Sequence, residues 1–219
     1  MKKIFGVVIL LVAVLISGSS MALAGQKQWG VETGYVKHRF IPQYSYVSGR
    51  QNSNFTDRAY GAGLSFFGRY VIPVTAKVSL PLQCSVAVNN AEWSLDTGEP
   101  AKIEYSLPYS GDISFLPTLT LAEKISVFLE LGVGQGYIKE KKTSAVSSAY
   151  DFSKWTTNCV LGCGVNYTLN EQTNIFIKYR YLQYNSISYR TYLADGSQVE
   201  TISDQPSTQM FNVGVLFNF

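Results

Sequence analysis

Five ionisable side chains recur at alternate positions among apolar neighbours. Glu32 follows Val31, Arg69 precedes Tyr70, Glu130 lies between Leu129 and Leu131, and Lys178 and Arg180 alternate with Ile177, Tyr179 and Tyr181. A period of two puts such residues on one face of an extended chain and their apolar neighbours on the other. The same face carries Ser65, Ser79, Gln83, Ser114, Thr118, Thr156, Asn158 and Asn166. Two carboxylates and three cations withdrawn from water must pair and hydrogen-bond, because an unpaired buried charge is costly. The chemistry expected of them is an internal polar network, with Glu130 opposite Lys178 or Arg180. A proton or solute path is the alternative use of the same groups.

Material for catalysis is thinner. The chain holds one histidine, His38, followed by Ser45, Ser48 and Asp57. A base must reach its nucleophile by a hydrogen bond, and no motif ties these residues into a unit. His38 instead lies between Lys37 and Arg39, a basic triplet suited to the phosphate of an anionic headgroup. The cysteines offer neither a bridge nor a metal site. Cys159 and Cys163 are four positions apart on one extended segment, about 13 Å at roughly 3.3 Å per residue, beyond the roughly 7 Å a disulfide spans. No catalytic residue, cofactor or metal is therefore expected.

The elements that would position these groups are eight alternating segments: 28–35, 59–72, 77–89, 112–121, 125–137, 154–167, 174–184 and 208–219. Their connections alternate in length, with short ones at 73–76, 122–124 and 169–173. Long ones fall at 41–58, 90–111, 138–153 and 185–207. No long apolar run follows the first residues, and the mean hydropathy of +0.04 looks soluble. A chain that crosses lipid on strands must close them, because lipid cannot satisfy a sheet edge, and alternation hides its hydrophobicity. The expectation is an all-β fold, an eight-stranded antiparallel transmembrane up-and-down β-barrel with four external loops. Eight strands leave an interior that side chains fill. Phe67, Phe128, Phe176 and Leu182 would enter it opposite glycines such as Gly162, Gly164 and Gly214, which argues against a wide pore.

Aromatic residues fall at both ends of the lipid-facing rows, where an apolar ring with a polar tip is favoured. Trp29, Tyr70, Tyr167, Phe217 and Phe219 would form one belt. Tyr35, Tyr60, Tyr137, Trp155, Tyr181 and Phe211 would form the other. At the start of the chain, Lys2 and Lys3 precede an apolar stretch that closes on Ala22-Leu23-Ala24, the pattern of a cleaved signal peptide over residues 1–24. The domain would then be residues 25–219. Lys2 and Lys3 are the only charges removed, so the formal charge of +3 falls by two and nothing favours nucleic acid.

The last strand carries Phe211, Val213, Val215, Phe217 and Phe219 at alternate positions. Together with the signal ending and the alternating connections, this terminus resembles that of small OmpA/OmpX-like outer-membrane β-barrels over essentially the whole mature chain. The resemblance implies the bacterial outer membrane and insertion by the barrel assembly machinery, with those five residues as the assembly signal. It also implies outer-membrane lipid and lipopolysaccharide as partners, and a structural or surface-binding role with an external ligand for the loops. A small channel is the alternative, and a lipid A- or phospholipid-modifying enzyme is the less favoured one.

Overall fold

The computed structural model describes residues 25–40, 43–46, 53–54, 57–96, 101–144, 150–192 and 198–219, so residues 1–24, expected as a signal peptide, lie outside the described residues. In chain order the strands begin with β1 (Gln26–Phe40), β2 (Gln43–Tyr46), β3 (Ser53–Asn54), β4 (Asp57–Pro73) and β5 (Val78–Asn89). They continue with β6 (Glu92–Asp96), β7 (Ala101–Phe115), β8 (Thr118–Ala122), β9 (Ile125–Ser144) and β10 (Tyr150–Asn170). The last are β11 (Thr173–Tyr184), β12 (Ile187–Tyr192), β13 (Gln198–Asp204) and β14 (Ser207–Asn218).

Eight staves close antiparallel into a barrel: β1, β4, β5, β7 with β8, β9, β10, β11 and β14. β1 makes the closure, because Trp29 is in register with Gly68 of β4 on one side and with Phe217 of β14 on the other. The segment expected as one strand over 112–121 is in fact two. β7 stops at Phe115 and β8 starts at Thr118, with Leu116 and Pro117 between them. Proline has no N–H to give to a ladder, so it falls at such breaks. The Pro117 carbonyl still accepts from the Leu129 amide at 3.1 Å. Further up, Pro108 coincides with a register shift in the β7–β9 pairing between Ser106 and Tyr109.

Side-chain exposure runs inside out. Leu129, Leu131 and Val133 are 57%, 50% and 65% exposed, whereas Phe128 and Glu130 on the alternate positions are buried at 3% and 0%. A water-soluble barrel would reverse this order, so the exposed apolar band marks a surface facing lipid. Aromatic contacts bound the band. Trp29 stacks on Phe217 at 4.6 Å and on Phe219 at 6.2 Å at the end with the short turns. At the other end Tyr35 meets Tyr60 at 6.1 Å, and Tyr137 meets Trp155 at 5.3 Å.

The long connections are more ordered than sequence suggests. β7, β9 and β10 run on past the aromatic belt, with Lys102–Ser106 paired to β9 and Tyr150–Lys154 paired to β9. β12, β13, β2 and β3 form a separate four-stranded sheet from the first and last long connections.

Candidate functional site: the barrel interior

The polar core sits at mid-height. Lys178 of β11 places its Nζ 2.7 Å from Glu32 Oε2 and 3.7 Å from Glu130 Oε2. Arg180, two residues on and therefore on the same face, puts Nη2 3.0 Å from Glu130 Oε1 and 2.7 Å from Asp112 Oδ2. Neutral groups complete the shell. Ser114 Oγ donates to Glu130 Oε1 at 2.9 Å, and Asn212 Nδ2 donates to Glu32 Oε1 at 3.0 Å. Four of the five charged residues expected in the interior thus meet directly. Arg69 stands apart from the ion pairs: its Nη2 donates to Gln83 Oε1 at 2.8 Å, and its guanidinium carbon lies 5.4 Å from the Phe67 ring centroid and 5.9 Å from that of Phe128.

Asp112 is the residue that sequence reasoning missed. It is 3% exposed and supplies the third carboxylate, so Glu32, Asp112 and Glu130 balance Arg69, Lys178 and Arg180. Its parity with Ser114 was the available signal.

Room for this network comes from glycines. A Cβ at Gly214 would run into the Phe176 ring, and one at Gly164 would run into the Phe128 ring. Gly214 is in register with Phe176, and Gly164 with Phe128, so each ring occupies the volume its partner lacks. Phe67, Phe176 and Leu216 form an apolar layer together.

Toward the external end the interior becomes largely apolar, with Glu140 fully buried there in register with Tyr105. Val36, Phe40, Tyr105, Leu107, Ile138, Val160, Leu182, Tyr184 and Met210 belong to one buried cluster, and the Phe40 and Tyr105 rings stack at 4.8 Å. This cluster caps the charged layer.

His38 belongs to the same level and corrects the basic triplet. It is fully buried and faces inward, with Nδ1 2.7 Å from Thr208 Oγ1. Lys37 and Arg39 flank it on the opposite face of β1, as alternation demands, so the three do not form one patch. Ser48 lies outside the described residues, as do the side chains of Ser45 and Asp57. The cysteines are free thiols. Cys159 and Cys163 are exposed on the lipid face, while Cys84 is covered although it lies in an outward row. No group of residues able to hold a metal occurs among the described residues.

The fold has parallels among solved barrels. The outer membrane protease OmpT of Escherichia coli superposes with a TM-score of 0.57 at 7% identity, covering 91% of this chain and 98% of its own. The outer membrane protein OprG of Pseudomonas aeruginosa gives 0.52 at 12% identity, with 88% and 95% covered. A major outer membrane protein of Thermus thermophilus gives 0.51 at 12% identity, with 88% and 99% covered. At these identities the likeness is one of fold. No curated protein matches the chain in sequence. The outer membrane protein beta-barrel domain family matches residues 10–219. With its closed eight-stave barrel, its lipid-facing apolar band and that match, the chain belongs to this family and to the bacterial outer membrane.

Proposed function

We propose that the protein is a closed, non-enzymatic barrel with a structural or surface-binding role in the envelope, and that its external sheets carry the binding. The observation that supports this most is the filled interior. A neutralised ion network lies at mid-height and the Phe40–Tyr105 plug lies above it. A path for ions would require these rings to part and the pairs at 2.7 Å to separate. A narrow conductance is the competing reading, favoured only by the position of Arg69 outside the ion pairs.

The site for lipid chemistry is weak for a physical reason. His38 is enclosed, so it meets neither the bilayer surface nor solvent. The exposed row from Phe211 to Val215 and the terminal Phe217 and Phe219 would serve as the signal for the barrel assembly machinery, after removal of residues 1–24.

Two measurements test the proposal. The protein inserted in a planar bilayer should give no stable current steps, and envelopes with and without the chain should contain lipid A and phospholipid of identical mass. Stable steps that weaken on Arg69→Gln would establish the channel reading instead. A lipid mass change lost on His38→Ala would establish an enzyme.

A further inference from the structure

The outward face across the closing seam changes character rung by rung. Residues in register on β4, β1, β14 and β11 first give an apolar rung of Ala62, Tyr35, Phe211 and Tyr179. One step outward stand Tyr60, Lys37, Gln209 and Tyr181, and the next rung is Arg58, Arg39, Ser207 and Gln183. On these four strands the last two rungs hold three cations and no carboxylate, and the one carboxylate in register beyond them is the exposed Glu92 of β6, next to Tyr60.

Arg39 and Arg58 are cross-strand partners on the same exposed face. Like charges directly opposite each other in an antiparallel pair are destabilising. Among the described residues, neither they nor Lys37 form an ion pair.

The opposite wall of the barrel provides the contrast. There Lys139 and Lys141 also stand above an aromatic belt, with Lys139 Nζ 5.7 Å from the Tyr137 ring centroid. Lys141, however, is in register with Glu104 on one side and Asp151 on the other. That wall is locally neutralised, whereas the seam wall sets Lys37, Arg39 and Arg58 against Glu92 alone. The excess cations stand just above the rings that mark the lipid boundary, where the phosphates of an outer-leaflet lipid lie.

We propose that Lys37, Arg39 and Arg58 bind a phosphate of the lipopolysaccharide headgroup, while Tyr35, Tyr60 and Phe211 hold its acyl chains below. The guanidinium pair supplies a fork matched to phosphate oxygens, and Lys37 adds a point charge. Binding removes the repulsion between the arginines. The site depends on the external placement of the long connections, but not on whether the interior conducts. A current in the bilayer experiment would therefore leave this result untouched.

The test uses the full chain folded in detergent micelles, with bound lipid counted by native mass spectrometry. The probes are bisphosphorylated lipid A, lipid A stripped of phosphate, and inorganic phosphate. The expected result is that bisphosphorylated lipid A binds about tenfold more tightly than the stripped form, and that raised salt weakens it. The double variant Arg39→Gln with Arg58→Gln should lose that preference, and Arg58→Gln alone should lose part of it. Lys139→Gln with Lys141→Gln should keep it. Heat-modifiable migration checks that each variant is folded. Unchanged preference in the arginine variants, an equal loss in the lysine variant, or competition by inorganic phosphate at comparable concentration would overturn the site.

Discussion

Arg180 holds two carboxylates at 2.7 and 3.0 Å, whereas the second carboxylate of Lys178 is 3.7 Å away, and that makes Arg180 the more sensitive of the two. Replacing it with Met leaves Asp112 and Glu130 buried with reduced compensation. The expected cost is about 3–5 kcal/mol, read as a lower urea midpoint for unfolding in detergent. Arg69→Gln should cost less, because its partner Gln83 is neutral and retains hydrogen-bonding capacity. Gly164→Leu should destabilise by about 1–3 kcal/mol through overpacking against Phe128, read in the same titration. Much of this network was legible from parity alone, since Glu32, Glu130, Lys178 and Arg180 all fall on the polar phase of their strands. Asp112 escaped because it began the segment as read from sequence, and an end residue is not naturally assigned a face. Lys37-His38-Arg39 misled for the opposite reason. Adjacency in sequence suggested one patch, whereas a strand sends neighbours to opposite sides.

Among the elements, β14 carries the closure. Phe219 donates its amide to Lys27 O at 3.0 Å, and Phe217 stacks on Trp29, so the last residues clasp the first strand. Deleting Phe219 should reduce the folded fraction in the outer membrane before any binding property changes, as seen by heat-modifiable migration of membrane fractions. Normal insertion of that truncation would count against the assembly role. The eight staves were readable from their alternation, but their upper extensions were not, and the reason is an inversion. Within the band, Leu129, Leu131 and Val133 point out to lipid. Above it, Ile138 points in, while Lys139 and Lys141 point out to water. β1 turns over in the same way, with Tyr35 outward and then Val36 and Phe40 inward against Lys37 and Arg39 outward. When the solvent on the outer face changes from lipid to water, the apolar phase changes sides. A pattern search tuned to one phase reads the second as loop.

At the scale of the whole molecule, the charged layer lies beneath a largely apolar one, and on the proposed closed-barrel reading each would block the interior by different physics. Phe40→Ala with Tyr105→Ala should remove the upper closure alone. The expected outcome in a planar bilayer is brief openings at most, because the ion pairs below remain; large stable steps would mean that the plug alone held the barrel shut. The extended staves also set a height. β10 runs 21 residues, about 70 Å along the chain at roughly 3.3 Å per residue, and a tilt of about 40° leaves an axial rise of about 50 Å. The apolar band takes about 25 Å of that rise. The remainder is a sheet-walled post standing proud of the bilayer. Any large particle approaching the cell beside it would meet a stiff pillar before it met the lipid surface, and would be held off that surface by a distance written into the length of one strand.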